Sequence, residues 1–251
     1  MKSKNIEFAG ALGDSLSARL DSPDGVSAGF ALFAHCFTCS KNLKAVGHIT
    51  KSLVERGIST LRFDFTGLGQ SDGEFANTNF SSNIQDLIAA AEYMESELEA
   101  PSLLVGHSLG GAAVLHAAHE LDSVKAVATI GAPSDPTHVK ENFSMKLDEI
   151  EETGEAEVTL AGRPFKIKKK FLDDLEDAAR EDKISTLDRA LLIMHAPLDQ
   201  TVGIDNAAKL YSHAKHPKSF VSLHKADHLL TEPKFSQYAG KLIAQWSELY
   251  I

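Results

Sequence analysis

The chain has 251 residues, 43% of them hydrophobic and 24% charged, a composition that supports one large α/β core. Its formal net charge of -10 sets aside partners that are themselves anionic, nucleic acid and acidic membrane surfaces among them. No apolar run is long enough to span a bilayer, the first residues lack the apolar stretch of a secretion signal, and Cys36 and Cys39 are too close together to staple a fold, so a cytoplasmic, reducing setting is expected.

Strand-like apolar runs alternate with helical patterns along the chain. Phe30 to Ala34 reads as a buried strand, and Leu43 to Arg56 as a helix closed by Gly57. Thr60 to Asp64 is the next strand, and Asn83 to Leu98 a helix with an acidic outer face. Leu103 to Gly106 is a strand and Leu109 to Leu121 a helix. Val124 to Ile130 and Ala190 to His195 are further strands, with Val221 to Leu223 at the core of the last. Phe235, Tyr238, Ala239, Leu242, Ile243 and Trp246 recur at helical spacing and read as the packed stripe of a final helix. Short apolar runs without strict alternation fit a mostly parallel sheet covered on both faces, so residues 1–251 are expected to form a single α/β domain.

The rhythm breaks between Ser134 and Leu187. Ser144 to Glu155 is helical and acidic in pattern. Glu157 to Ile167 alternates around the turn-prone Ala161-Gly162-Arg163-Pro164, as a β-hairpin does. Phe171 to Arg180 resumes a helical pattern. A segment this long with a pattern of its own reads as an inserted cap over a site, residues 134–187.

Gly106-His107-Ser108-Leu109-Gly110 stands between a strand and an alanine-rich helix, the G-x-S-x-G arrangement of a nucleophile elbow. A sharp strand-to-helix turn strains the serine backbone and leaves no space for side chains beside it, hence the two glycines. A serine hydroxyl needs a base, an orienting acid and donors for the oxyanion. His228 follows the last strand, and Asp199 follows the strand before it. Both therefore fall at strand C-terminal ends, where sites in open parallel sheets collect. Ser108, Asp199 and His228 are the expected catalytic residues. The backbone N–H groups of Leu109 and Phe37 are the expected oxyanion donors. The Phe37 side chain is expected to line the acyl pocket. His107 and His224 are weighted towards structural roles, although His107, beside the serine, is kept among the residues expected to meet substrate. Asp205 sits within a helical pattern, Asp227 should face away from His228, and His35 is read as organising the loop after it.

The His35 loop, Asp64-Phe65-Thr66-Gly67-Leu68-Gly69-Gln70-Ser71, the elbow, and the Asp199 and His228 loops together resemble the α/β-hydrolase superfamily over nearly the whole chain. Within it the chain looks like small bacterial serine carboxylesterases, most of all the hydrolase half of proteins fused to an OsmC-like domain. The cap, with Ala161 to Phe165 at its hairpin tip, is similar to the inserts of cinnamoyl and feruloyl esterases, which places Phe165 among the expected substrate-binding residues. The resemblance implies a serine ester hydrolase without metal or organic cofactor and a functional link to an OsmC-like domain, but does not fix the substrate. Short-chain esters, aryl or hydroxycinnamoyl ones among them, are expected because the cap is modest and Phe37 crowds the acyl pocket. A thioesterase, an amidase or aminopeptidase, an acyltransferase or perhydrolase, and a non-catalytic ligand-binding module remain open. His35-Cys36 replaces the usual His-Gly of the oxyanion loop, and Asp64-Phe65-Thr66-Gly67 lacks a common arginine. Cys36 and Cys39 have redox spacing but no redox-fold context, so the pair is read as shaping the loop. A disulfide there would be expected to distort the loop and lower activity.

Overall fold

The computed structural model describes residues 1–160 and 162–251; Ala161, expected in the hairpin turn, lies outside them. The chain opens with an antiparallel hairpin of β1 (Lys2–Ala9) and β2 (Ser15–Ser22), in register from Lys2 opposite Ser22 to Ala9 opposite Ser15. This hairpin lies ahead of Phe30 to Ala34, the first strand expected from the sequence. The β1 strand buries little beyond Ile6 and Phe8, so its apolar signal is weak.

From there strands and helices alternate: β3 (Gly29–Ala34), α1 (Lys44–Glu55), β4 (Ile58–Phe63), α2 (Phe80–Glu97), β5 (Leu103–His107), α3 (Leu109–Ala117) and β6 (Ala126–Ile130). An insert follows, made of a 3-10 run (Pro136–Lys146), α4 (Leu147–Thr153), β7 (Glu155–Leu160), β8 (Arg163–Lys168) and α5 (Lys169–Ala179). The chain ends with β9 (Ala190–His195), α6 (Asp205–His213), β10 (Lys218–Ser222) and α7 (Pro233–Ser247).

The main sheet runs β1-β2-β4-β3-β5-β6-β9-β10. All pairings from β4 to β10 are parallel, and β1 and β2 are joined on antiparallel. Residues of β4, β5, β6 and β9 are buried throughout, which is why their sequences run apolar without alternating. Leu104 packs on the face covered by α2, α3 and the insert, whereas Leu103 and Val105 pack on the face covered by α1 and α7. Strand order reverses between β3 and β5, and the chain leaves the sheet on either side of this switch point at His35 and Ser108.

Local chemistry moves several boundaries. Helix α2 starts at Phe80 and not at Asn83, because Asn79 accepts from the Ser82 N–H at 2.7 Å and Ser82 Oγ accepts from the Asn79 N–H at 2.9 Å. Helix α3 stops at Ala117, where tighter turns carry the chain on to Glu120. The acidic helix expected over Ser144 to Glu155 is divided into the 3-10 run and the short α4. The expected hairpin is present, with Ala156, Val158, Leu160 and Ile167 turned inward. Among the described residues no helix is long and apolar enough to cross a membrane.

A buried ion pair ties the loop after β3 to the sheet. The fully buried Asp64 accepts from the Lys41 backbone N–H and from Lys41 Nζ, each at 2.6 Å, and from the Gln70 N–H at 2.9 Å. Lys41 Nζ also reaches Ser17 Oγ at 3.0 Å and Gln70 Oε1 at 3.1 Å, and Arg62 donates to the Lys41 carbonyl. Removing one partner leaves a buried, uncompensated charge, at a cost on the order of 3 kcal/mol. Lys41→Met is therefore expected to lower the urea unfolding midpoint strongly. Lys51→Met, which breaks an exposed pair with Glu55, should leave the midpoint where it is. Equal midpoints for the two variants would contradict this account.

Candidate active site

Ser108 sits between β5 and α3 with φ 56° and ψ -127°, a backbone conformation that non-glycine residues rarely adopt. Crowding accounts for the glycines around it. A Cβ on Gly106 would overlap the Gly110 carbonyl oxygen, and one on Gly110 would overlap the carbonyl oxygens of Ala34 and His35. The turn is thereby seated directly on the end of β3, and the Ser108 N–H donates to the Ile130 carbonyl at 2.9 Å.

The structure brings Ser108, His228 and Asp199 into one hydrogen-bonded line. Ser108 Oγ lies 2.9 Å from His228 Nε2, and His228 Nδ1 lies 2.7 Å from Asp199 Oδ2. With Nδ1 protonated towards the carboxylate, Nε2 is free to accept the serine proton. The other carboxylate oxygen, Asp199 Oδ1, accepts from the N–H groups of Thr201 at 2.8 Å and Val202 at 2.9 Å. Burial works to raise the Asp199 pKa, but the hydrogen bonds from His228, Val202 and Thr201 outweigh it and hold the carboxyl below its ordinary range. Ser108 is only 9% exposed and the His228 side chain 10%.

Further histidines surround this line. His107, expected to meet substrate, is buried behind the base. Its Nε2–H donates to the His228 carbonyl at 2.7 Å, and its ring centroid lies 5.1 Å from that of His228. The β5 strand ends there with its side chain turned back under the His228 loop, so His107 supports His228 from behind. Burial, reinforced by the neighbouring His228, pushes its pKa down to about 3. His195 donates Nε2–H to the Val202 carbonyl at 2.8 Å and so holds the loop that presents Asp199. His35 donates Nδ1–H to the Cys36 carbonyl at 2.8 Å. His224 and Asp205 are exposed, and Asp227 accepts from Thr231. Gly131, which the sequence reading did not single out, runs beneath the Asp199–His228 pair with φ 55° and leaves both side chains their space.

Leu109 opens α3, so its N–H belongs to the first turn, where helix amides have no intrahelical partner. Phe37 and Leu109 line the same small cavity, together with His35 and Gly110. Cys36 and Cys39 are joined as a disulfide, not held as the reduced pair expected. In the loop they close, the Cys39 N–H donates to the Cys36 carbonyl at 3.0 Å, and Phe37 lines a cavity with Leu109. The Phe37 ring lies 5.8 Å from Phe75 and 5.6 Å from Phe171, and Phe75 lies 4.8 Å from Phe165. Phe165 thus reaches the loop through Phe75, and Arg163 beside it donates to the Thr38 carbonyl. Phe75, Phe171 and Arg163 carry no motif that would mark them in the sequence. Among the described residues no group of three or more metal-ligating side chains converges.

The family model described as "Serine aminopeptidase, S33" matches residues 39–150, which include Ser108 but neither Asp199 nor His228. The mitochondrial palmitoyl-protein thioesterase ABHD10 of Rattus norvegicus is 34% identical over 119 residues, 46% of this chain and 38% of that protein. The uncharacterized protein YfhR of Escherichia coli is 23% identical over 200 residues, 79% of this chain and 63% of that protein. The chain thus spans less than two thirds of the curated relatives it matches. Among solved structures, the esterase domain of a Rhodothermus marinus protein is 49% identical, with a TM-score of 0.81 and coverage of 100% of this chain and 99% of that one. Est1E of Butyrivibrio proteoclasticus with ferulic acid bound shares the fold at 22% identity and a TM-score of 0.79, covering 97% of this chain and 100% of that one.

The buried histidines contribute to the pH response. Burial lowers the His116 pKa to about 4, as it lowers that of His107 to about 3, against 6.5 in the unfolded chain. Because the folded values are depressed, the unfolded chain binds more protons below pH 6.5. Their contribution to stability is complete above that pH and is lost as pH falls towards 4, at about 1.4 kcal/mol per unit for each ring. Urea unfolding midpoints are expected to fall steadily from pH 6.5 to 4.5, and His116→Gln to make the slope shallower. A midpoint that stays level across this window would rule the assignment out.

Proposed function

The chain belongs to the α/β-hydrolase family, and on that premise we propose that it is a serine carboxylesterase working through an acyl-enzyme. The observation that carries the reading is the continuous line from Ser108 Oγ through His228 to Asp199, at 2.9 Å and 2.7 Å. In this reading Ser108 attacks the ester carbonyl as His228 takes its proton. Asp199, kept ionised by its hydrogen bonds, orients the imidazole and stabilises its cation. The N–H groups of Leu109 and Phe37 receive the negative charge that develops on the carbonyl oxygen. His228 then passes its proton to the leaving alcohol and activates water against the acyl-enzyme.

The insert is proposed to act as a cap whose aromatic side chains set acyl preference. Phe37, Phe75, Phe165 and Phe171 make a contiguous aromatic wall beside the proposed oxyanion site, which favours short or planar aromatic acyl groups. A second reading, thioester cleavage, is favoured by the 34% identity to the rat palmitoyl-protein thioesterase. The same groups would serve it, since acyl pocket and leaving group, not the triad, separate the two.

The test is a panel of aryl esters of short, medium and long acyl chains, hydroxycinnamate esters and acyl thioesters, with Ser108→Ala as the blank. Hydrolysis is expected to be fastest on short-chain or hydroxycinnamoyl esters and to fall by about 10⁴-fold or more in the variant. Wild-type turnover by Ser108→Ala would overturn the nucleophile assignment. Preference for long-chain thioesters would replace the ester reading with the second one.

A further inference from the structure

We propose that the Cys36–Cys39 disulfide is the positioning element for the oxyanion donor at Phe37, so that acyl hydrolysis follows the redox state of this pair. The inference rests on the serine-esterase reading above.

Phe37 lies inside the ring that the bond closes. The half-cystines are three residues apart, with Cα atoms 5.3 Å from each other, and the Cys39 N–H to Cys36 carbonyl hydrogen bond closes the same turn. Between them Thr38 has φ 59°, a left-handed conformation that disfavours a β-branched residue. Such a conformation persists only where its surroundings over-determine it. Three restraints do so here: the disulfide, the turn hydrogen bond, and Arg163 of the insert on the Thr38 carbonyl. The disulfide is the covalent one. It adds little to global stability, because a loop this short has little closure entropy to remove and both flanks are held without it. On one side His35 grips the Cys36 carbonyl and backs onto Gly110; on the other, Lys41 is paired with Asp64. The Phe37 N–H shares its peptide plane with the Cys36 carbonyl, which both His35 and the Cys39 N–H hold; the bond is the covalent closure that keeps the Phe37–Thr38 arc, and with it the Cys39 N–H, in place.

The pair is open to thiol exchange from one side. Cys36 is buried and Cys39 is half-exposed. A thiolate of a small dithiol attacks Cys39 Sγ, the S–S bond breaks, and Cys36 Sγ leaves as a thiolate that takes up a proton. The second thiol of the reagent then attacks the mixed disulfide, releasing Cys39 and leaving the reagent as its cyclic disulfide. Two electrons pass from the dithiol to the protein. Thr38 is then free to leave its left-handed conformation, the Cys39 N–H leaves the Cys36 carbonyl, the Phe37 N–H in that carbonyl's peptide plane is held by His35 alone, and the grip of Arg163 on the loop is lost.

The experiment compares purified protein oxidised with a small disulfide and protein reduced with dithiothreitol, on an activated short-chain aryl ester. Thiol titration under denaturing conditions verifies none and two free thiols in the two states. Reduction is expected to lower kcat about 10-fold, short of the roughly 10²- to 10³-fold loss from deleting a donor outright. KM should change by less than about twofold, because the donor acts on the transition state. Reoxidation should restore kcat. Cys36→Ser/Cys39→Ser should sit at the reduced level and ignore both reagents. An oxidised-level kcat in verified reduced protein or in the double variant overturns the inference, as does a change confined to KM. Loss of the far-ultraviolet circular dichroism spectrum on reduction would also overturn it, since the bond would then be a staple of the fold. If Ser108→Ala is inactive and reduction has no effect, only this inference falls. Full turnover by Ser108→Ala would mark failure of the esterase reading itself.

Discussion

The start of α3 and the end of β3 approach until backbone touches backbone, and the rest of the site is arranged around that contact. Gly110 has the Ala34 and His35 carbonyl oxygens where a side chain would be, and Gly106 has the Gly110 carbonyl. Seating the helix this deeply forces Ser108 into its unusual backbone angles and holds the Phe37 loop against the first turn of α3. One steric condition thus positions a hydroxyl and two candidate amide donors that lie some seventy residues apart in the chain. A methyl group at either glycine would move all three together.

Charge is distributed around this contact in a consistent way. Ionised groups that are buried come with full hydrogen-bond sets: Asp64 has Lys41 and Gln70, and Asp199 has His228, Thr201 and Val202. The neighbouring rings of His35, His107 and His195 are all shifted towards their neutral forms by burial, and each spends a ring nitrogen on a backbone carbonyl. The molecule thereby keeps one histidine, His228, in contact with both a hydroxyl and a carboxylate, while three others serve as uncharged struts.

Much of this was legible in the sequence, for reasons that differ by element. Buried parallel strands such as Ala190–His195 announce themselves because both faces need apolar side chains. Ser108, Asp199 and His228 could be placed because each follows such a strand, and strand ends are where this architecture opens. The β1–β2 hairpin was missed because an edge hairpin with one wet face carries few apolar residues. The structural weighting of His107 agrees with its burial under the His228 loop, whereas its place among the substrate-binding residues does not, because the direction of a side chain at the last residue of a strand depends on the loop that covers it. Arg163, Phe75 and Phe171 were out of reach for a related reason: their meaning lies in contacts between distant segments, and nothing local marks them. The state of Cys36 and Cys39 depended on how tightly the loop turns, which spacing alone does not tell.

The insert departs from the sheet after β6 and returns into β9, and these two strands are hydrogen-bonded neighbours from Ala126 opposite Ala190 to Ile130 opposite Met194. The ladder that closes behind the excursion is the same whatever the excursion contains, and the entropy of closing it grows only logarithmically with length. Changes of length in this segment therefore fall outside the β6–β9 register, although its buried side chains share the core with α2 and α3. Frame and insert meet not only at this junction but also where Phe171 packs on Phe37, Phe165 on Phe75 and Asp174 on the Ser81 N–H, so a change of insert is felt at the Phe37 loop while the ladder behind it stays as it is.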